Sequence, residues 1–501
     1  MINHMHCIKY GIIFILFCVG LNGKTTIDLT LHSAVEIAMN KSYRVKQLKM
    51  GIEHTRSWLK AEQAGLKSKV YMHVKAPEYK FISEYKWNSE IQKDELVRQN
   101  TSLWQMDLSI RQPVILLGYP TNGYLSLNNR TYKYIQKDGY DDISYYNRFF
   151  IKYEQPFFRP NTLRNAIENA ELNLKEQELE FIDDLVDLID DVADDYYDLF
   201  ELVYKNQIYK NQLGLLSEIQ DVVEIKKSVD NNKTSSLELN QIKVKIANTK
   251  ERILQYQGDL RIEIADMKQR LRLDEETELN VSTEVALHEI TIDVEDAINK
   301  GYTLGPDLQL LSIRKRRDEI SLANTRGWNA FNVNLEVTYG LERQSDDYRQ
   351  IWNDNDNSYS ASVNAYIPLW DWGQQKNYIE ARKISIRRTE LYQEERQSGI
   401  KSAIVNSVES LKEYQKRALN MRESMAMARD NAYISLDEYQ KGTITVRDLL
   451  ANVDALIETE NNFLDAYLGY RRSLLKLMIH TYYDYENNQP VLDQYLVTST
   501  N

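Results

Sequence analysis

The chain has 501 residues and a formal net charge of −12, a balance that disfavours nucleic acid as a partner, and no basic stripe interleaved with aromatics offsets it. Its 34 Tyr against 11 Phe is the unusual ratio. Tyrosine suits places where one end of a side chain is dry and the other wet, the girdles of membrane barrels among them.

Residues 1–23 read as a signal peptide, with a positive charge at Lys9, a short apolar run from Tyr10 to Val19, and Gly20 and Gly23 after it. That run is too short to span a bilayer, which takes about 20 apolar residues. Cys18 raises lipid attachment, although Phe17 before it is a poor fit for such a box. Both cysteines, Cys7 and Cys18, fall in this segment, so the mature chain is expected to hold no disulfide. No later stretch reads as a transmembrane helix. An exported chain can still enter a membrane through alternating strands, whose hydropathy signal is weak.

From Leu31 to about Lys67 the pattern is helical with a break near Ser42, and residues 69–79 switch to alternation. Met106, Leu108 and Ile110 alternate with Asp107, Ser109 and Arg111, and Tyr124 to Tyr134 alternates again. Between them, Pro120-Thr121-Asn122-Gly123 predicts the turn of a hairpin, since Asn-Gly between alternating segments is a strong hairpin signal. Whether that hairpin joins the other strands stays open at this point. Phe149, Ile151 and Tyr153 alternate with polar neighbours before Pro156.

A helix without proline is predicted from Asn161 to about Ser228, long enough for a rod of about 100 Å. Its apolar seam runs Ile182, Leu185, Ile189, Val192, Tyr196, Leu199 and Val203, in steps of three and four. Asp183, Asp187, Asp190, Asp194, Asp198 and Glu201 repeat at helical spacing opposite that seam. Such a stripe is a solvated face, turned outward or toward a water-filled lumen, where a lining of one sign would focus cations. A cation site is a third reading, although hard cations usually take carboxylates from loops that wrap them. A polar turn at Asp230-Asn231-Asn232-Lys233 precedes a returning helix.

The second half holds the clearest strand, Phe331 to Tyr339, with apolar odd positions and polar even ones. Its partner places Ser360, Ser362 and Asn364 on one face and Ala361, Val363, Ala365 and Ile367 on the other. Glu342 to Ser358 suits an aqueous loop. Gln374 to Lys441 is a second long helix, ending at Lys441-Gly442-Thr443 before another returning helix. The halves repeat each other: Ala34, Val35, Val45, Val70 and Val74 match Ala297, Ile298, Leu308, Val333 and Val337, and Pro156, Asn165 and Glu168 match Pro368, Asn377 and Glu380. The offset is 263 from Val74 to Val337 and 212 from Pro156 to Pro368, so the first half carries 51 extra residues between its strands. Two copies are too few for a solenoid, and the arrangement points to a quasi-symmetric wall or channel. The expected division is 24–280 for the first repeat, 281–482 for the second and 483–501 for a tail.

No His-x-x-x-His, cysteine pair, Gly-rich phosphate loop or Gly-x-Ser-x-Gly elbow occurs, so neither an enzyme nor a metal or other cofactor is expected. A competing class is an exported coiled-coil structural protein or adhesin without a pore. The alternation at Phe331–Tyr339 and Tyr359–Ile367 separates the two, because a pure coiled coil does not need it.

Taken together, Tyr439-x-x-Gly442-Thr443-x-Thr445-x-x-Asp448-Leu449-Leu450 and the junctions Gln155-Pro156-Phe157 and Ile367-Pro368-Leu369-Trp370 resemble the outer-membrane efflux protein family, the TolC-like ducts, from about Leu31 to Tyr482. The resemblance implies a mostly α fold with a membrane β-barrel. In it a homotrimer takes four strands per protomer into a 12-stranded outer-membrane barrel, and the helices continue as an α-barrel in the periplasm. Physics also asks for assembly, because open sheet edges are not viable in lipid and four strands cannot close alone. The implied partners are a periplasmic adaptor, an inner-membrane transporter and outer-membrane lipid. The implied gate residues are Tyr439, Asp448 and its first-half counterpart Glu238, whose carboxylates in three copies could form an acidic ring. The alternative for each acid is a helix-end carboxylate beside its own N-terminus. Asn231, Asn232, Lys233, Gly442 and Thr443 are the implied adaptor-contacting tips. Ile444 stands where the resemblance expects an Arg, and Ala451 where it expects a second Asp, with Gln241 its first-half counterpart.

Overall fold

The computed structural model describes residues 26–138, 140–229 and 233–496. The expected signal peptide with Cys7 and Cys18, and the tip residues Asn231 and Asn232, lie outside the described residues. In chain order the first half runs β1 (Thr26–Leu29), α1 (Leu31–Lys41), α2 (Tyr43–Ala64), β2 (Lys69–Asn88), β3 (Lys93–Leu116), β4 (Tyr119–Asp138), β5 (Tyr140–Phe157), α3 (Thr162–Val229) and α4 (Lys233–Leu271). The second runs β6 (Glu278–Val281), α5 (Val294–Leu304), α6 (Asp307–Gly327), β7 (Asn332–Ser345), β8 (Asp356–Tyr366), α7 (Gln374–Lys441) and α8 (Val446–Thr481). A small hairpin, β9 (Tyr483–Asp484) and β10 (Gln489–Pro490), and α9 (Val491–Leu496) follow. Among the described residues no helix is long and apolar enough to cross a membrane. The chain divides into two compact units: one of Tyr43–Asp187, Ile290–Glu409 and the C-terminal stretch from Lys476, the other of the stretch ending at Ser42 with Leu188–Glu289 and Ser410–Leu475.

The first unit holds a six-stranded sheet in the order β2-β3-β4-β5-β7-β8, with every neighbouring pair antiparallel. This corrects the expected four strands: the extra hairpin of the first half, β3 with β4, is built into the sheet between β2 and β5. It also moves the turn. The hairpin reverses at Leu117-Gly118, whose φ angles of 50° and 84° are the paired positive values of a tight hairpin turn, while Asn122-Gly123 lies inside β4. Asn122, at φ 64°, donates its amide to the Pro160 carbonyl at 2.6 Å and accepts from the Thr162 hydroxyl at 3.3 Å. It thereby fastens the strand to the first turn of α3. A Cβ at Gly123 would collide with the Gln155 side chain. The aqueous loop is also shorter than expected, because β7 continues to Ser345 and β8 begins at Asp356.

The sheet is inside out relative to a water-soluble one. On β7, Val337, Tyr339 and Leu341 are exposed while Asn332 and Thr338 are buried. On β3, Trp104, Met106, Leu108 and Ile110 are exposed while Ser109 is buried. The sheltered face carries cross-strand pairs: Asp107 with Arg130 at 2.6 Å, Glu342 with Arg148 at 3.5 Å and Glu336 with Lys152 at 3.0 Å. A soluble antiparallel sheet turns its apolar face to a core and its polar face to water. The opposite arrangement suits lipid outside and water inside. On β2 a bulge between Lys75 and Glu78 inserts one residue. Such an insertion flips side-chain parity, so Val70, Met72 and Val74 before it and Tyr79, Phe81, Tyr85 and Trp87 after it share the apolar face.

The second unit is helical. Leu216, Ile219 and Val223 of α3, Leu239 and Ile242 of α4, Leu436 and Tyr439 of α7, and Val446, Leu449 and Val453 of α8 form one buried cluster. Each such apolar side chain contributes about 1.5–3 kcal/mol on burial. The seam residue Leu185 of the first unit, and Ile189, Val192 and Leu199 of the second, are buried as their spacing predicts. β1 pairs in parallel with β6, joining the strands that precede each half's helix pair.

Candidate functional site

The α7–α8 turn is closed by local hydrogen bonds. Thr443 N–H donates to the Glu438 carbonyl at 3.1 Å and Gly442 N–H to the Tyr439 carbonyl at 3.0 Å, the two bonds of a Schellman ending. Gly442 takes φ 80°, as its place at the turn predicts; no other residue type adopts that value without cost. α8 then opens with a reciprocal cap. The Thr445 hydroxyl and N–H donate to Asp448 Oδ2 at 2.6 and 3.2 Å, and Asp448 N–H donates back to the Thr445 hydroxyl at 3.3 Å. Those two donors hold the Asp448 carboxyl below its usual range. Within one protomer Asp448 therefore acts as the helix-end carboxylate weighed against the ring.

Glu238 and Tyr439 are brought together. The Tyr439 hydroxyl donates to Glu238 Oε2 at 3.2 Å, and the ring is 3 % exposed. Burial first, then the neighbouring Glu238 charge, pushes the phenol well above its ordinary value. The contact also has a member that spacing did not reveal. Lys226, near the end of α3, donates its ammonium to the Tyr439 carbonyl and lies 4.0 Å over the Tyr439 ring. Three helices are thus tied at one tyrosine: α3 through Lys226, α4 through Glu238 and α7 through Tyr439 itself. Ile444, at the position where the resemblance expects an Arg, packs against the apolar cluster. A lone lysine in a charged helix carries no sequence signal for this role.

The acidic stripe is not a face of a single sign. In the strand-bearing unit, Arg44 of α2 pairs with Asp184 at 2.7 Å and Asp187 at 3.7 Å, and the Tyr482 hydroxyl donates to Asp183 at 2.6 Å. In the helical unit, Arg270 of α4 pairs with Asp195 and, at 3.9 Å, with Asp191. Arg472 of α8 meets Asp198 at 2.5 Å and Lys205 meets Glu201 at 2.6 Å. Asp190 also has a partner, whereas Asp194 is exposed. Burial raises the Asp195 carboxyl even beside Arg270. Each compensating base sits on a neighbouring helix or one turn away, which periodicity along α3 alone does not register. Among the described residues no group of three His, Cys, Asp or Glu could hold a metal ion.

A sheet with its apolar face outward, in a chain that also carries two paired helices of 68 residues, is the architecture of outer-membrane efflux channels, and this chain has that fold. It is similar to the CmeC outer-membrane channel of Campylobacter jejuni at 13 % identity, covering 100 % of this chain and 97 % of that one with a TM-score of 0.63. It is similar to the outer-membrane protein VceC of Vibrio cholerae at 13 % identity, covering 90 % and 95 % with a TM-score of 0.61. The outer-membrane channel OprN matches at 14 % identity, covering 90 % and 89 % with a TM-score of 0.64. No family model matches the sequence, and a search of curated proteins finds no match either.

Proposed function

We propose that this chain is the outer-membrane exit duct of a tripartite efflux or type I secretion system. It is a homotrimer set in outer-membrane lipid, its helices reach into the periplasm, and small molecules leave through it passively. The observation that carries this reading is the inside-out sheet, which a pore-free coiled-coil adhesin has no use for. The fold shared with outer-membrane efflux channels supports it. Energy for transport comes from an inner-membrane transporter, coupled through a periplasmic adaptor that meets the helical turns at Asn231, Asn232 and Lys233 and at Gly442 and Thr443. Glu238, Tyr439 and Lys226 form the latch that narrows the duct, and Asp448 from three copies adds charge to its mouth. Asp183, Asp187, Asp190, Asp194, Asp198 and Glu201 line a charged but compensated stretch of the bore. The 1–23, 24–280, 281–482 and 483–501 segments are the exported leader, two repeats and tail of this duct.

The test is extraction in detergent, native mass measurement and reconstitution into a planar bilayer. Trimeric particles with discrete conductance steps are expected. A monodisperse water-soluble monomer with no conductance would sink the reading in favour of the adhesin.

A further inference from the structure

The sheet has six strands where the resemblance implies four, and the difference has a consequence for the width of the wall. β2 and β8 are the two edges of the sheet, each with one hydrogen-bonded neighbour. Both edges expose apolar side chains, Val70, Met72 and Val74 on β2 ahead of its bulge and Pro77, and Tyr359 and Val363 on β8, and β8 contains no proline. An unpaired edge is not viable in lipid. Six strands also fall short of the eight or so in the smallest common barrels.

We propose that the membrane wall of this duct is an 18-stranded barrel, closed where β8 of one copy pairs antiparallel with β2 of the next. The proposal rests on the trimer above for the number of copies and on the sheet for six strands in each. With an even number of alternating strands, the last runs opposite to the first, so the junction continues the antiparallel pattern. Faces match as well. Ala361, Val363 and Ala365 lie on the apolar face with Val337 and Leu335, and Val70, Met72 and Val74 lie on it with Ile110, Leu108 and Met106.

The hairpin of β3 and β4 is wall, not ornament. It shows Trp104, Met106, Leu108, Ile110, Leu125 and Leu127 outward. Inward it carries its own pairs, Asp107 with Arg130 at 2.6 Å and Ser109 with Asn128 at 2.5 Å. Barrel diameter grows about linearly with strand number. The wall is therefore about 1.5-fold wider than a 12-stranded one, with roughly twice the cross-section.

The closure is tested by placing cysteines on the polar face of the two edges: Ser362→Cys combined in turn with Tyr71→Cys, His73→Cys or Lys75→Cys. At least one pair should give a covalently linked trimer on a non-reducing denaturing gel, reversed by reductant. A native trimer that none of the three pairs links would overturn the β8–β2 junction. Strands counted by electron cryomicroscopy of the detergent-extracted trimer should number 18. A trimer with a 12-stranded wall and β3–β4 lying off it would overturn the proposal while leaving the duct function standing. A particle with another number of copies would overturn the trimer itself, and the 18 with it.

Discussion

Tyr439 is held at its hydroxyl by Glu238 and at its carbonyl by Lys226, so it can be weakened without being unpacked. Tyr439→Phe keeps the ring in the apolar cluster and removes only the bond to Glu238. The expected cost is about 1 kcal/mol of stability, the net worth of one hydrogen bond. It should appear as a lower unfolding temperature together with a higher open fraction in single-channel records. An unchanged open fraction would leave Tyr439 a packing residue. Asp448 makes a separate prediction. Its folded carboxyl titrates below the ordinary value because Thr445 donates to it twice. A lowered folded pKa gives stability that is complete above the unfolded value of 3.8 and is lost as pH falls through the folded one. Melting followed by circular dichroism between about pH 5 and pH 2 should show this acid limb, and Asp448→Asn should flatten it. A limb of the same depth in the variant would assign it to other carboxylates.

At the scale of elements, the turn between α7 and α8 depends on one backbone conformation. Gly442 has open space where a Cβ would sit, so substitution there meets backbone strain and not a collision. Gly442→Val should destabilise the turn by about 1–2 kcal/mol, the cost of a left-handed conformation for an ordinary residue, whereas Gly442→Asn should be nearly neutral. Export by the Val variant should fall while its sheet stays assembled, as read by heat-resistant trimers on a gel. Wild-type export by Gly442→Val would remove this turn from the coupling surface.

The same scale shows what could be read in advance. The break at Ser42, both long helices, the Phe331–Tyr339 strand and the positive φ of Gly442 follow from short-range rules of period, capping and turn chemistry, and all were legible. The hairpin turn was misplaced because Asn122-Gly123 carries the signature of a reversal but is recruited by Pro160 and Thr162, 38 and 40 residues away. The strand count was missed because membership of a sheet is decided by pairing between distant segments, which alternation within one segment does not encode. Lys226 and the bases that answer the acidic stripe were missed for the same reason.

At the scale of the whole molecule, charge matters by repetition. In a trimer, Glu238 and Asp448 occur three times around one axis, and like charges that converge repel and bind multivalent cations. Conductance should be cation-selective and blocked by di- or trivalent cations added from the periplasmic side. The double variant Glu238→Gln with Asp448→Asn should weaken that block by about tenfold or more. The compensated aspartates of α3 should contribute little to it. If the double variant were blocked like the wild type, the ring assignment would fail.

The inside-out sheet also governs how such a molecule must be made. A newly exported copy presents Trp104, Leu108, Phe149, Tyr339 and Val363 to water, along with two open strand edges. Large exposed apolar patches and unpaired edges are the ingredients of misassociation. In the trimer proposed above the open edges close only when two sister copies arrive, so the lifetime of a lone copy in the aqueous compartment is a race between correct ring formation and aggregation. That race is concentration-dependent in both directions. Overproduction should raise the yield of insoluble protein faster than the yield of channels.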